Sequence, residues 1–409
     1  MGVSSCPASS PVPEDVPAFS GGLPTGDGPE DAEILRRAVL MHLREQGFVL
    51  TDKGLLMHVP RDKDQIRQLH EHAVAERREA ARPALQGLED AFIWRMLPSA
   101  DLNPAAVRPA LRLIDTFRHP DAPLWRWLSL HWSVPVSAGY GRRLRFLVVD
   151  EGHGDAVMGL IGLGDPVFAM SSRDRWVGWN HQRRRTALSD VMDAFVLGAV
   201  PPYRDVLAGK LVAMLAVSTD VREAFREKFR GRTSLISERD PDARLALVTT
   251  TSALGRSSVY NRLRRPDGAL AFEPIGVTAG SGDFHLSGAI YDRLSRFAAQ
   301  SDPDRGTHRH ERWPGNTFRN RREVVIRAMG ELGLPDKQMR THGIQRPVFA
   351  APTARNTRDY LRGDATALDY LTLGADETSA YWLDRWAVPR AGRIRPRPFD
   401  PRDWRLWPA

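Results

Sequence analysis

The sequence predicts an α/β (α+β) chain in which a central mixed sheet is flanked by helices. Three observations point there. Residues 144–149 (L-R-F-L-V-V) and 156–163 (A-V-M-G-L-I-G-L) bracket a short polar stretch, as two strands and their turn do. A nearly continuous apolar run over 191–200 stops at Pro201-Pro202, crosses the polar turn Tyr203-Arg204-Asp205, and gives way to apolar helical spacing from Gly209. That is a strand, a turn and a helix N-terminus. A further strand-like run at 245–250 (L-A-L-V-T-T) follows a charged helical segment at 220–230, so helices and strands alternate along the chain.

The elements follow in order. Residues 1–31 hold Pro, Gly, Ser and acids with few large apolar groups, too little to offset the entropy of ordering, and are expected to be disordered. Helical spacing over 33–46 ends at Gly47; 48–57 reads as a hairpin turning at Lys53-Gly54; 62–82 is a charged helix. Together they predict a helix-hairpin-helix module over 32–106. An α/β domain over 107–300 would then hold a strand at 110–117, an aromatic helix at 124–132, the strand pair, a polar Trp-rich stretch at 165–185, the 191–217 unit and the strand at 245–250. A short helix at 257–263, a strand at 270–277 and a helix at 291–299 complete it. The remainder, 301–409, reads as a basic Arg/Trp-rich extension that opens on a polar linker and contains one helix at 323–334.

Composition narrows the classes. The 409 residues are 42% hydrophobic, enough for a sizeable core. A net charge of +8, carried far more by Arg than by Lys, favours acidic partners such as nucleic acid or phosphorylated ligands, or reflects Arg used wherever a solvated cation serves. The one cysteine, Cys6, excludes an internal disulfide framework and a Cys-based zinc site. Neither a membrane-length apolar run nor a signal-peptide pattern is present, so a cytoplasmic protein is expected.

Several residues are candidates for chemistry. A strand–turn–helix junction directs free amide groups and a positive dipole end outward, an arrangement that holds anions. Asp165, Asp174 and Asp193 fall near strand ends. Asp193 interrupts an apolar strand, where burial raises a carboxyl toward the range of a general base; equally it could face solvent or pair with Arg183, Arg184 or Arg185. The run Trp176-Val177-Gly178-Trp179-Asn180-His181 either lines a cleft that stacks a base or fills a core, with Asn180 a catalytic candidate. His70-Glu71-His72 and His308-Arg309-His310 lack the spacing that puts two imidazoles on one helix face, and no metal is expected. The tail carries Arg390, Arg393, Arg395, Arg397, Arg402 and Arg405 with Trp404 and Trp407. Such a mixture suits nucleic-acid backbones and bases, an acidic protein partner, or anchoring of the tail to its own fold.

The element order from Pro109 onward resembles the GNAT-like acyltransferase architecture. In that family the turn after the fourth strand, P-x-Y-R-G-x-G-x-G-K, gives its amides to the pyrophosphate of coenzyme A. This chain has Pro201-Pro202-Tyr203-Arg204-Asp205-Val206-Leu207-Ala208-Gly209-Lys210. The resemblance makes Tyr203, Arg204, Gly209 and Lys210 candidates for binding acyl-coenzyme A or another phosphorylated ligand. Leu207 stands where the family has a glycine that lets phosphate approach closely. Ser257-Ser258-Val259-Tyr260-Asn261-Arg262-Leu263 resembles the segment whose Tyr protonates the leaving thiolate, which implies Tyr260 as the acid with Asp193 or Asp174 as base.

A longer resemblance covers about residues 32–390. It is carried by the runs 159–168, 173–179, 191–210 and 249–261, by His342-Gly343-Ile344, and by Asn356-Thr357-Arg358. These are similar to the DruA family of Druantia anti-phage defence systems. The resemblance implies a role in defence beside other Druantia proteins, including a large helicase. It leaves three activities open: an acyltransferase, a nucleic-acid-binding adaptor on an inactive acyltransferase-like scaffold, and a scaffold for the complex. In the second, Arg393, Arg395, Arg397 and Trp404 would touch DNA or RNA.

Overall fold

The computed structural model describes residues 31–51, 54–57, 62–135, 141–232, 242–301, 318–393 and 397–408. The expectations for the leader before residue 31, for Lys53, for His308-Arg309-His310 and for Arg395 lie outside these residues.

Helix α1 (Ala32–Glu45) starts where the Asp31 carboxylate accepts the amides of Glu33 and Ile34, and it buries Leu35, Val39 and Leu43 at helical spacing. The antiparallel hairpin of β1 (Phe48–Thr51) and β2 (Gly54–Met57) follows, then the long α2 (Lys63–Leu85), capped by Asp62, and α3 (Glu89–Ile93). Strand β3 (Pro109–Ile114) is shorter than expected, and α4 (Ala122–Ser129) carries the aromatic stretch. The expected strand pair is β4 (Arg143–Asp150) and β5 (Ala156–Gly164), with β5 buried along its whole length. The Trp-rich stretch folds as two short helices, α5 (Ser171–Val177) and α6 (His181–Ala187). Strand β6 (Val191–Ala199), α7 (Ala208–Leu215) and α8 (Thr219–Phe229) realise the strand–turn–helix unit. Strands β7 (Leu247–Thr251) and β8 (Glu273–Val277) come next, then α9 (Ala289–Ser301), α10 (Phe318–Glu331) and α11 (Asp336–Met339). The chain ends through β9 (Pro347–Pro352), α12 (Thr357–Arg362), α13 (Ala375–Trp382) and α14 (Val388–Ala391).

Seven strands form one mixed sheet in the order β3-β4-β5-β6-β7-β9-β8. The first four are antiparallel neighbours, β6 and β7 run parallel, and β9 is antiparallel to both β7 and β8. Strands β6 and β7 pair only from Val191–Leu247 to Ala194–Thr250; beyond that β6 runs on to Ala199 without β7. At the parting point Ala194 and Val196 face Leu163 and Gly162 of β5, which leaves Phe195 as the extra residue of a bulge. Gly159 sets the approach of α7 to β5, because a Cβ there would lie 2.6 Å from a Val212 methyl.

The packing crosses the domain boundaries expected from sequence. Strand β9 belongs to the 301–409 segment yet lies between β7 and β8. Helix α1 shares a core with Ile290 and Leu294 of α9 and Val325 and Met329 of α10, so the N-terminal module and these later helices build one helical unit. Residues 257–263 form turns rather than a helix: the Ser257 hydroxyl caps the amides of Val259 and Tyr260, but Arg262 at φ 62° leaves the right-handed helical region and stops the turn from propagating. One face of the sheet packs on α7, α8 and α13. The other face packs on α4 at its β3–β6 end and on α5, α6 and α12 at its β6–β9 end.

Candidate functional site

The turn before α7 is held from inside and crossed from outside. Tyr203 is fully buried, and its hydroxyl donates to Asp150 Oδ2 at 2.9 Å. The same buried carboxylate accepts the amides of Arg108 at 2.8 Å and Gly152 at 3.0 Å and lies 2.7 Å from His153 Nδ1. Burial, reinforced by the Asp150 charge, holds the Tyr203 phenol far above its ordinary range. This side chain therefore ties the turn to β4 and does not face a ligand. Leu207 adopts the left-handed conformation at φ 63°, where the family pattern has glycine.

The outer side meets the chain's own C-terminal region. Trp382 Nε1 donates to the Leu207 carbonyl at 3.2 Å, and Arg390 donates to the Asp205 carbonyl. The Asp205 carboxylate accepts both the amide of Arg397 at 3.0 Å and its guanidinium at 2.8 Å. Lys210 Nζ donates to the Ser258 carbonyl at 3.3 Å and sits 5.5 Å from the Trp386 ring centre. Its pKa is lowered by burial and then by Arg385. Arg204 remains exposed, and Gly209 lies on the first turn of α7 with the Val259 side chain against it.

Asp193 and Tyr260 come together where β6 and β7 part, but on opposite faces. Met192 and Ala194 point into the core that contains Tyr260, so strand alternation turns Asp193 the other way. Burial pushes the Asp193 carboxyl up; Thr249 Oγ1, donating at 2.8 Å, and the Arg173 and Arg143 charges partly offset this. Tyr260 is buried, its ring 5.0 Å from Phe272 and 5.3 Å from Phe349. Burial pushes its phenol up to about 12, opposed by a bond with the Thr250 side chain and helped by the Asp193 charge.

Asp174 is saturated with donors. Its oxygens accept from Arg173 at 3.0 and 2.8 Å, Arg184 at 2.8 Å, Trp179 Nε1 at 3.0 Å and the Met170 amide at 3.1 Å. Burial alone would raise this carboxyl; the Arg173 charge and these bonds win and hold it below its ordinary value, which unfits it as a base. Asn180 caps α6, its side chain accepting the Arg183 amide at 2.7 Å.

The tail is anchored. Trp404 stacks on His131 at 4.1 Å between ring centres and 10° between planes, and Trp407 is buried. Arg402 pairs with Asp400, Arg405 with Asp90 and Arg397 with Asp205. Arg393 is exposed. Among the described residues no group of three or more His, Cys, Asp or Glu is placed to hold a metal, and no helix is long and apolar enough to cross a membrane.

A further cluster of aromatic and charged residues lies on the α5–α6–α12 face. Trp176, Glu273, Arg355, Arg358 and Arg362 line a cavity of about 380 Å³ with Thr357 at its wall. Trp176 Nε1 donates to Glu273 Oε2 at 3.2 Å, and the Arg358 guanidinium lies 5.5 Å from the Trp176 ring centre. The sequence offers Trp176 within a run that lines a base-stacking cleft or fills a core, but gives no sign that Arg358 lies beside it.

The family model described as "Druantia protein DruA" matches residues 60–363 of the chain. A curated relative, the Druantia protein DruA of Escherichia coli (strain UMEA 4076-1), is 37% identical over 376 residues, which span 92% of this chain and 90% of that protein. No solved structure matches.

Proposed function

The chain belongs to the DruA family, and from that premise we propose that it acts as a nucleic-acid-binding adaptor on an acyltransferase-like scaffold. Family membership makes it a component of a Druantia anti-phage defence system, which is built from several proteins. Other proteins of that system are its expected partners, a helicase among them, together with DNA or RNA. The observation that carries the adaptor reading is the layer of α5, α6 and α12. It leaves Arg175, Arg185 and Arg358 exposed, with Arg358 over the Trp176 ring, a mixture suited to phosphates and bases. The residues expected to do chemistry are engaged elsewhere: Asp174 in ion pairs, Tyr203 and Tyr260 in the core. Titration of labelled DNA into the full chain tests it. Affinity should fall steeply and linearly in log–log form as salt rises; absent or salt-independent binding overturns the reading.

One observation favours an acyltransferase as second reading. Strand β6 bulges at Phe195 and parts from β7, and Arg204, Gly209 and Lys210 stand on the turn and helix that follow. A coenzyme A pyrophosphate held there would lean on Arg204 and on the first amides of α7. Against it, Leu207 replaces the glycine, and Trp382, Arg390 and Arg397 bond to the same turn. Calorimetry with acyl-coenzyme A decides: heat of binding that Arg204→Glu abolishes, with DNA binding spared, supports this second reading.

A further inference from the structure

We propose that the cavity between α5, β8 and α12 is a subsite for one nucleotide unit, with the base against Trp176 and the phosphate on Arg358. Three separate stretches of chain converge there. Helix α5 supplies Trp176, β8 supplies Glu273, and residues 352–362 supply the rest: Pro352 at the end of β9, Ala354 and Arg355 in the loop, and Arg358 and Arg362 on α12. A volume of about 380 Å³ falls in the range of small-molecule sites.

The charges within it are not equivalent. Arg355 is paired with Asp369 at 3.0 Å, and Arg362 is paired with Asp359 and Asp364. Arg358 has no carboxylate partner among the described residues, is exposed, and lies over an aromatic face. A guanidinium in that state offers a forked set of donors to a phosphate. Trp176 is fixed by its bond to Glu273 and the Arg358 guanidinium lies over its ring, so a base stacks there by displacing that guanidinium toward the nucleotide's own phosphate. Glu273 keeps acceptor capacity for the amino edge of a base. Thr357, the nearest hydroxyl, is committed to the Ala246 and Ala354 carbonyls at 2.9 and 3.0 Å. The site therefore binds and carries no nucleophile. Its loop is set by Asn356, which donates to the Ala367 carbonyl at 2.9 Å and accepts the Asp369 amide at 2.8 Å.

The unit bound is part of a strand or a free mononucleotide, and the strand case rests on the adaptor reading above. The test uses the full chain with two probes, a labelled single-stranded DNA oligonucleotide and free AMP. Inorganic phosphate serves as competitor. Arg358→Gln and Trp176→Ala should each weaken binding by about tenfold or more, whereas Trp176→Phe keeps the stacking face and stays within about threefold. Thermal melts of all three variants establish folding. If the oligonucleotide binds wild type and all variants equally, the subsite is wrong and the adaptor reading stands. If AMP binds through Trp176 and Arg358 but the oligonucleotide does not bind, the subsite stands and the adaptor reading falls. Phosphate displacing AMP at equal concentration would remove the stacked base from the proposal. No binding of either probe overturns both.

Discussion

The hydroxyl of Tyr203 lies 2.9 Å from Oδ2 of Asp150, and both side chains are fully buried. This bond links the turn after β6 to the turn between β4 and β5, so a residue expected to face a ligand acts as a structural tie. Tyr203→Phe removes the donor and leaves a buried carboxylate with one bond fewer. Bonds to charged groups contribute about 1.5–3 kcal/mol, and a loss of that size is expected. Urea unfolding should show a lower midpoint at unchanged slope; an unchanged midpoint contradicts the tie.

The legible and illegible parts of the fold divide along a physical line. Strands β4 to β7 were readable because their apolar runs are continuous and bounded by turn residues. The strand–turn–helix at Tyr203 was readable for the same reason. Its closure by Trp382 and Arg397 was not, because those residues lie 175 and 192 positions from their partners, and no local pattern encodes so distant a contact. The place of β9 inside the sheet escaped likewise. Asp174 read as a candidate base because sequence shows a carboxylate and not the two guanidinium groups that neutralise it. Trp176 and Arg358 shared no signal except membership of two motifs, and only folding joins them.

Asp174→Asn should cost stability rather than only activity. Arg173 is completely buried and spends its remaining donors on the Val167 and Phe168 carbonyls at 2.8 and 3.0 Å. Removing the Asp174 charge strands that cation, and breaking a buried pair this way costs about 3–5 kcal/mol. Guanidinium unfolding of the variant reads the loss directly. A variant as stable as wild type would free Asp174 for a catalytic role.

Three buried histidines and the partly buried His131 predict acid sensitivity. Burial, then Arg346, lowers His70 to about 4. Burial, then His285 and Arg346, lowers His342 to about 4. Burial lowers His285 to about 4 despite its bond to the Met339 carbonyl, and burial with Arg78 lowers His131 to about 3. In the unfolded chain these groups take up protons near 6.5. Below that pH the unfolded state binds more protons, so stability is full above 6.5 and falls toward pH 4, by roughly 1 kcal/mol per pH unit per histidine. Asp190, raised to about 6 by burial, has the opposite sign, since its folded form takes up a proton first and stability is regained below about 6. Asp193, whose carboxyl burial also raises, acts in the same direction as Asp190, and these two groups do not cancel four histidines. The melting temperature should drop between about pH 7 and about pH 5, with a shallower drop in His70→Gln; a flat profile would falsify this account.

Trp404 distinguishes a tail that binds nucleic acid from one that anchors the fold. Its ring is stacked on His131, edge-on to Trp127 at 6.4 Å and to Phe399 at 5.9 Å. Beside it Glu89, itself buried, accepts the Leu406 amide at 2.7 Å and Trp127 Nε1 at 2.8 Å, so the tail shares a carboxylate with the core. His131 covers one face of Trp404, so a base stacks on that face only if this contact breaks. Large aromatic truncations in such packing cost about 3–5 kcal/mol when fully buried; Trp404 is half-buried, and about 2 kcal/mol is expected for Trp404→Ala. DNA affinity should stay within about twofold of wild type at a temperature where the variant remains folded, because stacking loss of about 1–3 kcal/mol per base is not incurred. A tenfold loss of affinity in folded Trp404→Ala would return the tail to the nucleic-acid surface and move the binding face away from α5 and α12.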